Sequence, residues 1–167
     1  MTKKPDTGIR DNHSRGTVAD FLRAKIQSGS SLSVVSAYFT IYAYDALKDT
    51  LDRIEHLDFL FGEPRFVNRL DPSKTEKKAF IIDGDGLELG NKLQQKRAAK
   101  DCADWIERKV DIKTIKQSSL LRGEMYHVAT GGVEDAIIGS SNFTVRGLGL
   151  GNGSNNIELN LVVDSNR

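Results

Sequence analysis

The chain is poor in cysteine and histidine, the residues that disulfides and zinc centres use most. Its single cysteine, Cys102, excludes an intrachain disulfide and a cysteine-based metal cluster. The three histidines, His13, His56 and His127, are scattered along the sequence, which argues against a zinc site. We therefore expect no metal and no cofactor in this chain.

Charge of one sign and long apolar runs are also missing. The 24 Lys and Arg residues nearly cancel the 23 Asp and Glu residues, so any phosphate-binding surface has to be a local patch. No apolar run reaches the length needed to cross a membrane. The first residues are basic but lack the apolar segment of a secretory signal, so we expect a cytoplasmic protein without membrane partners.

The first third of the chain alternates helical and extended patterns. Residues 1–16 are polar and indicate a flexible N-terminal arm. Thr17-Val-Ala-Asp20 resembles a capping box and is followed by apolar residues at helical spacing. Residues 32–39 and 57–61 read as strands, and residues 43–54 between them read as an amphipathic helix. This spacing predicts a parallel β–α–β unit.

The rest of the chain adds a long helix and several strands. Residues 68–85 are polar and predict an exposed loop, within which residues 80–82 could form a short strand. The later patterns predict a helix at 87–109, an edge strand at 110–116, a hairpin formed by 123–130 and 135–140, and a final strand at 156–164. On the helix, we expect four side chains to face the core: Leu93, Cys102, Trp105 and Ile106. The predicted fold class is α/β, a mixed β-sheet flanked by helices.

Three short motifs follow one another between residues 121 and 160. They read L-R-G-E-M-Y-H, then A-I-I-G-S-S-N-F-T-V-R-G-L, then N-N-I-E-L-N. In this order they resemble the active-site half of the phospholipase D-like (HKD) phosphodiesterases, a superfamily with the same layered α/β architecture that includes nucleases. The family carries a His-x-Lys pair on the first of these strands, and Arg122 and Glu124 stand at those two positions.

The resemblance implies roles for the remaining motif positions. In the family, histidine supplies the nucleophile and the acid, lysine grips the phosphate, and two such motifs meet at one site. Ser140 and Asn142 match the Gly-Ser-x-Asn segment that would bind the phosphate or orient the catalytic residues. Glu158 matches the carboxylate that orients the histidine, whereas Ala129 stands where the family has an aspartate. Because this chain has one motif-bearing segment, an active form would have to be a homodimer.

The chemistry of the two replaced positions argues against catalysis. Arginine stays protonated, so Arg122 can bind phosphate but cannot act as nucleophile or general acid. Glu124 brings negative charge to a position where the family has positive charge. Strand alternation puts Arg122, Glu124 and Tyr126 on one side and His127 on the other, so His127 cannot replace the nucleophile. The simplest interpretation is a structural ion pair between Arg122 and Glu124, and we predict an inactive site.

Three further sequence segments narrow the resemblance to one branch of the superfamily. Residues 33–40 read S-V-V-S-A-Y-F-T, residues 60–66 read L-F-G-E-P-R-F, and residues 142–148 read N-F-T-V-R-G-L. Together they look like the phospholipase D-like domain at the N-terminus of prokaryotic superfamily 2 helicases of the SNF2 kind. The resemblance implies one phospholipase D-like domain over residues 17–167, belonging to a longer helicase-type protein. Helicase motifs are absent from this chain.

Three functions remain open from the sequence. The first is a catalytically degenerate nuclease-like module that engages DNA or RNA, or that dimerises, next to helicase domains. The second is an active, metal-independent phosphodiesterase working as a homodimer, and the third is a structural scaffold domain. A basic surface would favour the first, although a run of charge on a helix is usually a solvated face. Its candidate contacts with nucleic acid are Arg146, Arg65, Lys92, Lys96, Arg97 and Lys100.

Overall fold

The computed structural model describes residues 8–61, 92–115 and 123–164, with only the backbone of Lys92 and Asp164. The strands are β1 Ile9–Arg10, β2 Ser30–Ser36, β3 Ile54–Phe61, β4 Val110–Thr114, β5 Glu124–Thr130, β6 Val133–Gly139 and β7 Asn160–Asp164. The helices are α1 Val18–Lys25, α2 Ile41–Leu51, α3 Lys92–Lys109 and α4 Val145–Leu148. Among these described residues, no helix is both long enough and apolar enough to span a membrane.

The described strands form one seven-stranded mixed sheet in the order β1-β7-β6-β5-β2-β3-β4. Strand β2 pairs in parallel with β3, and β3 pairs in parallel with β4. The other pairings are antiparallel. The α/β class, the mixed sheet and the parallel β2–α2–β3 unit are therefore confirmed, and β4 lies at an edge of the described sheet as predicted.

The described helices pack against one face of the sheet. Alternate side chains along each strand are buried beneath the helices, for example Val34 on β2, Tyr126 on β5 and Ile137 on β6. The side chains between them point to the other side of the sheet, which we call the open face. There Ile138, Leu161 and Val163 are about half exposed. The core therefore lies between the helices and one side of the sheet.

The predicted arm at residues 1–16 is corrected in its second half, since residues 8–16 contain a short strand and make specific hydrogen bonds. Ile9–Arg10 forms β1 against β7, and Asn12 is buried with a positive φ of 60°. The Asn12 side chain donates to the carbonyl oxygen of Gly147 at 2.7 Å and accepts from the backbone N–H of Val18 at 3.1 Å. An asparagine that satisfies buried backbone groups gives a polar segment a reason to order. Residues 1–7 lie outside the described part.

Two further predictions differ from the structure. Leu93 is 75% exposed and does not face the core. The buried side of α3 runs through Ala98, Cys102 and Trp105, and five residues of helix place Leu93 well off that stripe. The final strand begins at Asn160 and not at residue 156. The predicted loop at 68–85, with its short strand at 80–82, lies outside the described residues.

Candidate functional site

The motif residues lie at the same ends of three neighbouring strands. Glu124 begins β5 and is paired in register with Gly139, the last residue of β6. Gly139 is paired in turn with Asn160, the first residue of β7. Ser140 follows this row directly, and Glu158 precedes it by two residues. The sheet register therefore brings three of the predicted site positions, Glu124, Ser140 and Glu158, to one end of β5, β6 and β7.

Gly139 explains why the motif has a glycine before its serine. A Cβ atom at Gly139 would overlap with the carbonyl oxygen of Leu159 and with the side chain of Asn160. Only glycine therefore lets β6 and β7 approach each other this closely. The turn after it presents Ser140 to the segment that carries Glu158.

Ser140 and Glu158 contact each other directly. The hydroxyl of Ser140 donates a hydrogen bond to Glu158 Oε2, and Ser140 Oγ accepts from the backbone N–H of Leu159 at 3.1 Å. The serine hydroxyl is thus engaged by a carboxylate within the chain. In this arrangement Glu158 orients a serine, whereas the resemblance implies that it orients a histidine.

The second carboxylate, Glu124, is partly buried near the first. Burial, and then the negative charge of Glu158, raise the pKa of Glu124 above its usual range. Tyr126, two residues further along β5, is fully buried, and its hydroxyl donates to the carbonyl oxygen of Ser141 at 2.7 Å. Burial, followed by the charges of Glu124 and Glu158, raises the pKa of Tyr126 well above its usual value. The electrostatic environment of this strand end is therefore unfavourable for further negative charge.

Asn142 makes hydrogen bonds within the chain that stabilise the fold. Its Oδ1 accepts from the backbone N–H of Ala37 at 3.1 Å and lies 3.1 Å from Ser36 Oγ. The Ser36 oxygen also accepts from the backbone N–H of Phe143 at 3.0 Å. Asn142 thus ties the end of β2 to the turn after β6. Its Nδ2 atom has no hydrogen-bond partner among the described residues, so a donor remains for a ligand.

Sequence reasoning missed three polar residues that build this end of the sheet. Ser36, Ser141 and Asn160 are all buried. Asn160 Nδ2 donates to Ser141 Oγ at 2.9 Å, which fixes the start of β7 against the turn after β6. Ser36 could have been identified, because it is a serine at one of the alternating positions of β2 that are buried. Nothing local marks Asn160, because its partner Ser141 lies in the turn after β6.

Among the described residues, the predicted cations of α3 do not lie at this site. Arg122, Arg65 and the side chain of Lys92 lie outside the described part of the chain, and so does the predicted ion pair between Arg122 and Glu124. Arg146 is half-buried on α4, where its carbonyl oxygen accepts from the backbone N–H of Asn156 at 3.3 Å. Lys96 and Lys100 are exposed on α3, which packs against α2, β3 and β4 on the other side of β2. The structure therefore separates the α3 cations from the motif residues.

Strand alternation places His127 as predicted. It points to the open face, and its Nε2 lies 3.8 Å from Glu134 Oε2. The described members of the motif offer two carboxylates, a hydroxyl and an amide. Such a set can donate and accept hydrogen bonds but supplies neither the imidazole nor the ammonium group of the family pair.

Comparisons with known proteins do not extend these observations. No protein-family model matches this chain, and no curated protein matches it.

Proposed function

We propose that this chain is a phospholipase D-like domain that engages the backbone of a nucleic acid without cleaving it, as one module of a helicase-type protein. The observation that carries the proposal is the convergence of Glu124, Ser140 and Glu158 at one end of β5, β6 and β7. These three positions come from three successive segments of the chain, and the resemblance requires them to meet. We place the protein in the cytoplasm, where an unpaired buried cysteine such as Cys102 is common.

The lack of cleavage follows from the charges at the converged positions. Phosphodiester hydrolysis needs a nucleophile, an acid for the leaving oxygen and positive charge around the phosphoryl oxygens. Glu124 stands at the family's lysine position, and its raised pKa reflects an environment that already disfavours negative charge. A phosphate group placed there would meet two carboxylates, so its binding would be weakened.

Contacts with nucleic acid would therefore lie away from the motif. An exposed basic stretch on α3 consists of Lys96, Arg97 and Lys100. Lys100 Nζ also forms an ion pair with Asp104 Oδ2 at 3.0 Å. Lysine and arginine side chains on a helix surface bind phosphates without reading bases. Binding through them would be insensitive to sequence and steeply dependent on salt.

Fluorescence anisotropy of a labelled 20-base-pair duplex and of its single strand, each titrated at several salt concentrations, tests this proposal. We expect the double variant Lys96→Glu/Lys100→Glu to lower affinity and to reduce the salt slope by about two, one for each lost phosphate contact. Arg23→Glu, which reverses an exposed cation on α1, is the matched control and should change little. Absent or salt-independent binding would favour the scaffold function instead.

A second measurement addresses catalysis. The chain should not hydrolyse bis(p-nitrophenyl) phosphate in the presence of a metal chelator. Specific activity that rises with protein concentration and disappears in Asn142→Ala would instead support the active homodimeric phosphodiesterase. The two assays are independent, because the variants for binding lie on α3 and the variant for turnover lies within the motif.

A further inference from the structure

The open face carries a cluster of metal-ligating side chains where β3 meets β4. His56 and Asp58 are two residues apart on β3 and point to the same side, and Asp111 on β4 is paired in register with Asp58. His56 Nε2 lies 3.7 Å from Asp58 Oδ1 and 3.4 Å from Asp111 Oδ2. One potential ligand atom from each residue lies within 4.8 Å of the other two. We propose that His56, Asp58 and Asp111 bind a divalent transition cation of the zinc class.

The spacing of these atoms matches that of ligands around such an ion. With bonds near 2.0 Å, neighbouring ligand atoms of a tetrahedral zinc site are about 3.3 Å apart. The two measured nitrogen–oxygen separations, 3.4 and 3.7 Å, are close to that value. A small side-chain adjustment would bring three donors onto one ion, with water completing the coordination. An imidazole with two carboxylates favours zinc, cobalt or nickel over magnesium.

A lysine side chain already pairs with one of the three proposed ligands. Lys113 Nζ lies 3.2 Å from Asp58 Oδ1 and competes with a metal for that carboxylate. The Lys113 side chain is largely exposed, so it can leave Asp58 at small cost when a metal binds. A bound ion would join β3 to the edge strand β4, and so would stabilise the folded chain.

The sequence alone argued against this site because the histidines are scattered. The ligands come from two strands that are about fifty residues apart, and only the pairing of β3 with β4 brings Asp111 beside His56. The site lies on the open face, whereas Glu124 and Tyr126 point to the helix side. Its metal binding is thus independent of the function proposed above.

Isothermal titration of the tag-free full chain with zinc chloride, and separately with magnesium chloride, tests the proposal. We expect one equivalent of zinc to bind, with magnesium far weaker. His56→Ala should weaken zinc binding at least about tenfold, since even substitutions outside the ligand shell reach that size. Lys113→Met should tighten it about two- to fivefold, the size expected for removing an exposed ion pair with Asp58.

His127→Ala is the matched control. His127 also points to the open face, but its Nε2 has one described carboxylate nearby, that of Glu134. Zinc binding should persist in this variant. If His56→Ala fails to fold by circular dichroism, Asp111→Asn replaces it, since Asp111 is well exposed. Zinc binding that is absent in the parent chain, or unchanged in His56→Ala or Asp111→Asn, would overturn the proposal.

Discussion

Burial, and then the negative charge of Glu158, disfavour the ionised form of Glu124. Glu124 is partly buried, and the negative charge of Glu158 adds to the effect of burial on its pKa. A carboxyl group with a raised pKa binds more protons in the folded than in the unfolded chain. Stability contributed by its protonated form is present at low pH and is lost as pH rises through the folded-state pKa. Ionisation of Glu124 therefore lowers the stability of the folded chain.

Replacement of this charge gives the first prediction. Glu124→Gln should raise the melting temperature at pH 7, because the amide removes the buried charge and its repulsion by Glu158. The gain should shrink as pH falls towards the ordinary carboxyl range, where Glu124 is protonated in the parent chain. Thermal unfolding followed by circular dichroism at several pH values measures both effects.

Glu55→Gln, at an exposed position on β3, is the control and should alter stability little. A Glu124→Gln variant that is less stable at pH 7 would contradict the prediction. It would mean that a cation pairs with the Glu124 carboxylate in solution. The experiment therefore also tests the ion pair between Arg122 and Glu124 that the sequence suggests.

At the scale of elements, the short helix α4 holds the turn after β6 against the N-terminal part of the chain. Thr144 caps α4 by accepting from the backbone N–H of Gly147 at 3.0 Å. The helix ends at Gly149, which has a left-handed φ of 78°. A Cβ atom at Gly149 would lie 2.6 Å from the side chain of Thr17, the N-cap of α1. Gly149 thus sets how closely α4 approaches α1.

The second prediction compares two glycines. Gly149→Ala and Gly153→Ala both force alanine into a positive φ, but space around Gly153 is open. We expect Gly153→Ala to cost about 1 kcal/mol of unfolding free energy from backbone strain. Gly149→Ala should cost about 2–4 kcal/mol, since the overlap with Thr17 adds to the same strain. Urea denaturation of both variants measures the difference, and equal losses would show that α1 and α4 are not packed this closely.

At the scale of the whole molecule, the described sheet carries one set of motif positions. In phospholipase D-like proteins, which the motif order resembles, a second set from another half of the chain or from a second subunit completes the site. The proposed inactivity of this chain thus has two causes, the replaced residues and the single motif. Restoring the residues alone would not be enough in a monomer.

The third prediction separates these two causes. The double variant Arg122→His/Glu124→Lys restores the family pair and removes one carboxylate from the neighbourhood of Glu158 and Ser140. Hydrolysis of bis(p-nitrophenyl) phosphate should then appear, and specific activity should rise with protein concentration as dimers form. Each single variant should remain inactive, because one lacks the nucleophile and the other lacks the cation. A folded, dimeric double variant without turnover would show that the site has diverged beyond Arg122 and Glu124.

Local chemistry let the sequence by itself determine several elements of this protein. The capping box of Thr17 and Asp20 is present at the start of α1, because both partners lie within four residues. The β5–β6 hairpin turns at Gly131 and Gly132, which both have the positive φ that a two-residue turn demands. Hydrophobic periodicity likewise identified β2, α2 and β3 within a few residues of their ends.

Only the tertiary structure decided which of these elements are neighbours and what their polar residues do. Contacts between distant segments explain three features that the sequence did not show. Asn142 Oδ1 accepts a hydrogen bond from the end of β2, Asn160 is buried against Ser141, and Asn12 fixes residues 8–16 against α4. The same holds for the meeting of His56 and Asp58 with Asp111. Periodicity reports which side of an element is buried, but it carries no information on strand order. The charges and hydrogen bonds that define both candidate sites arise from that order.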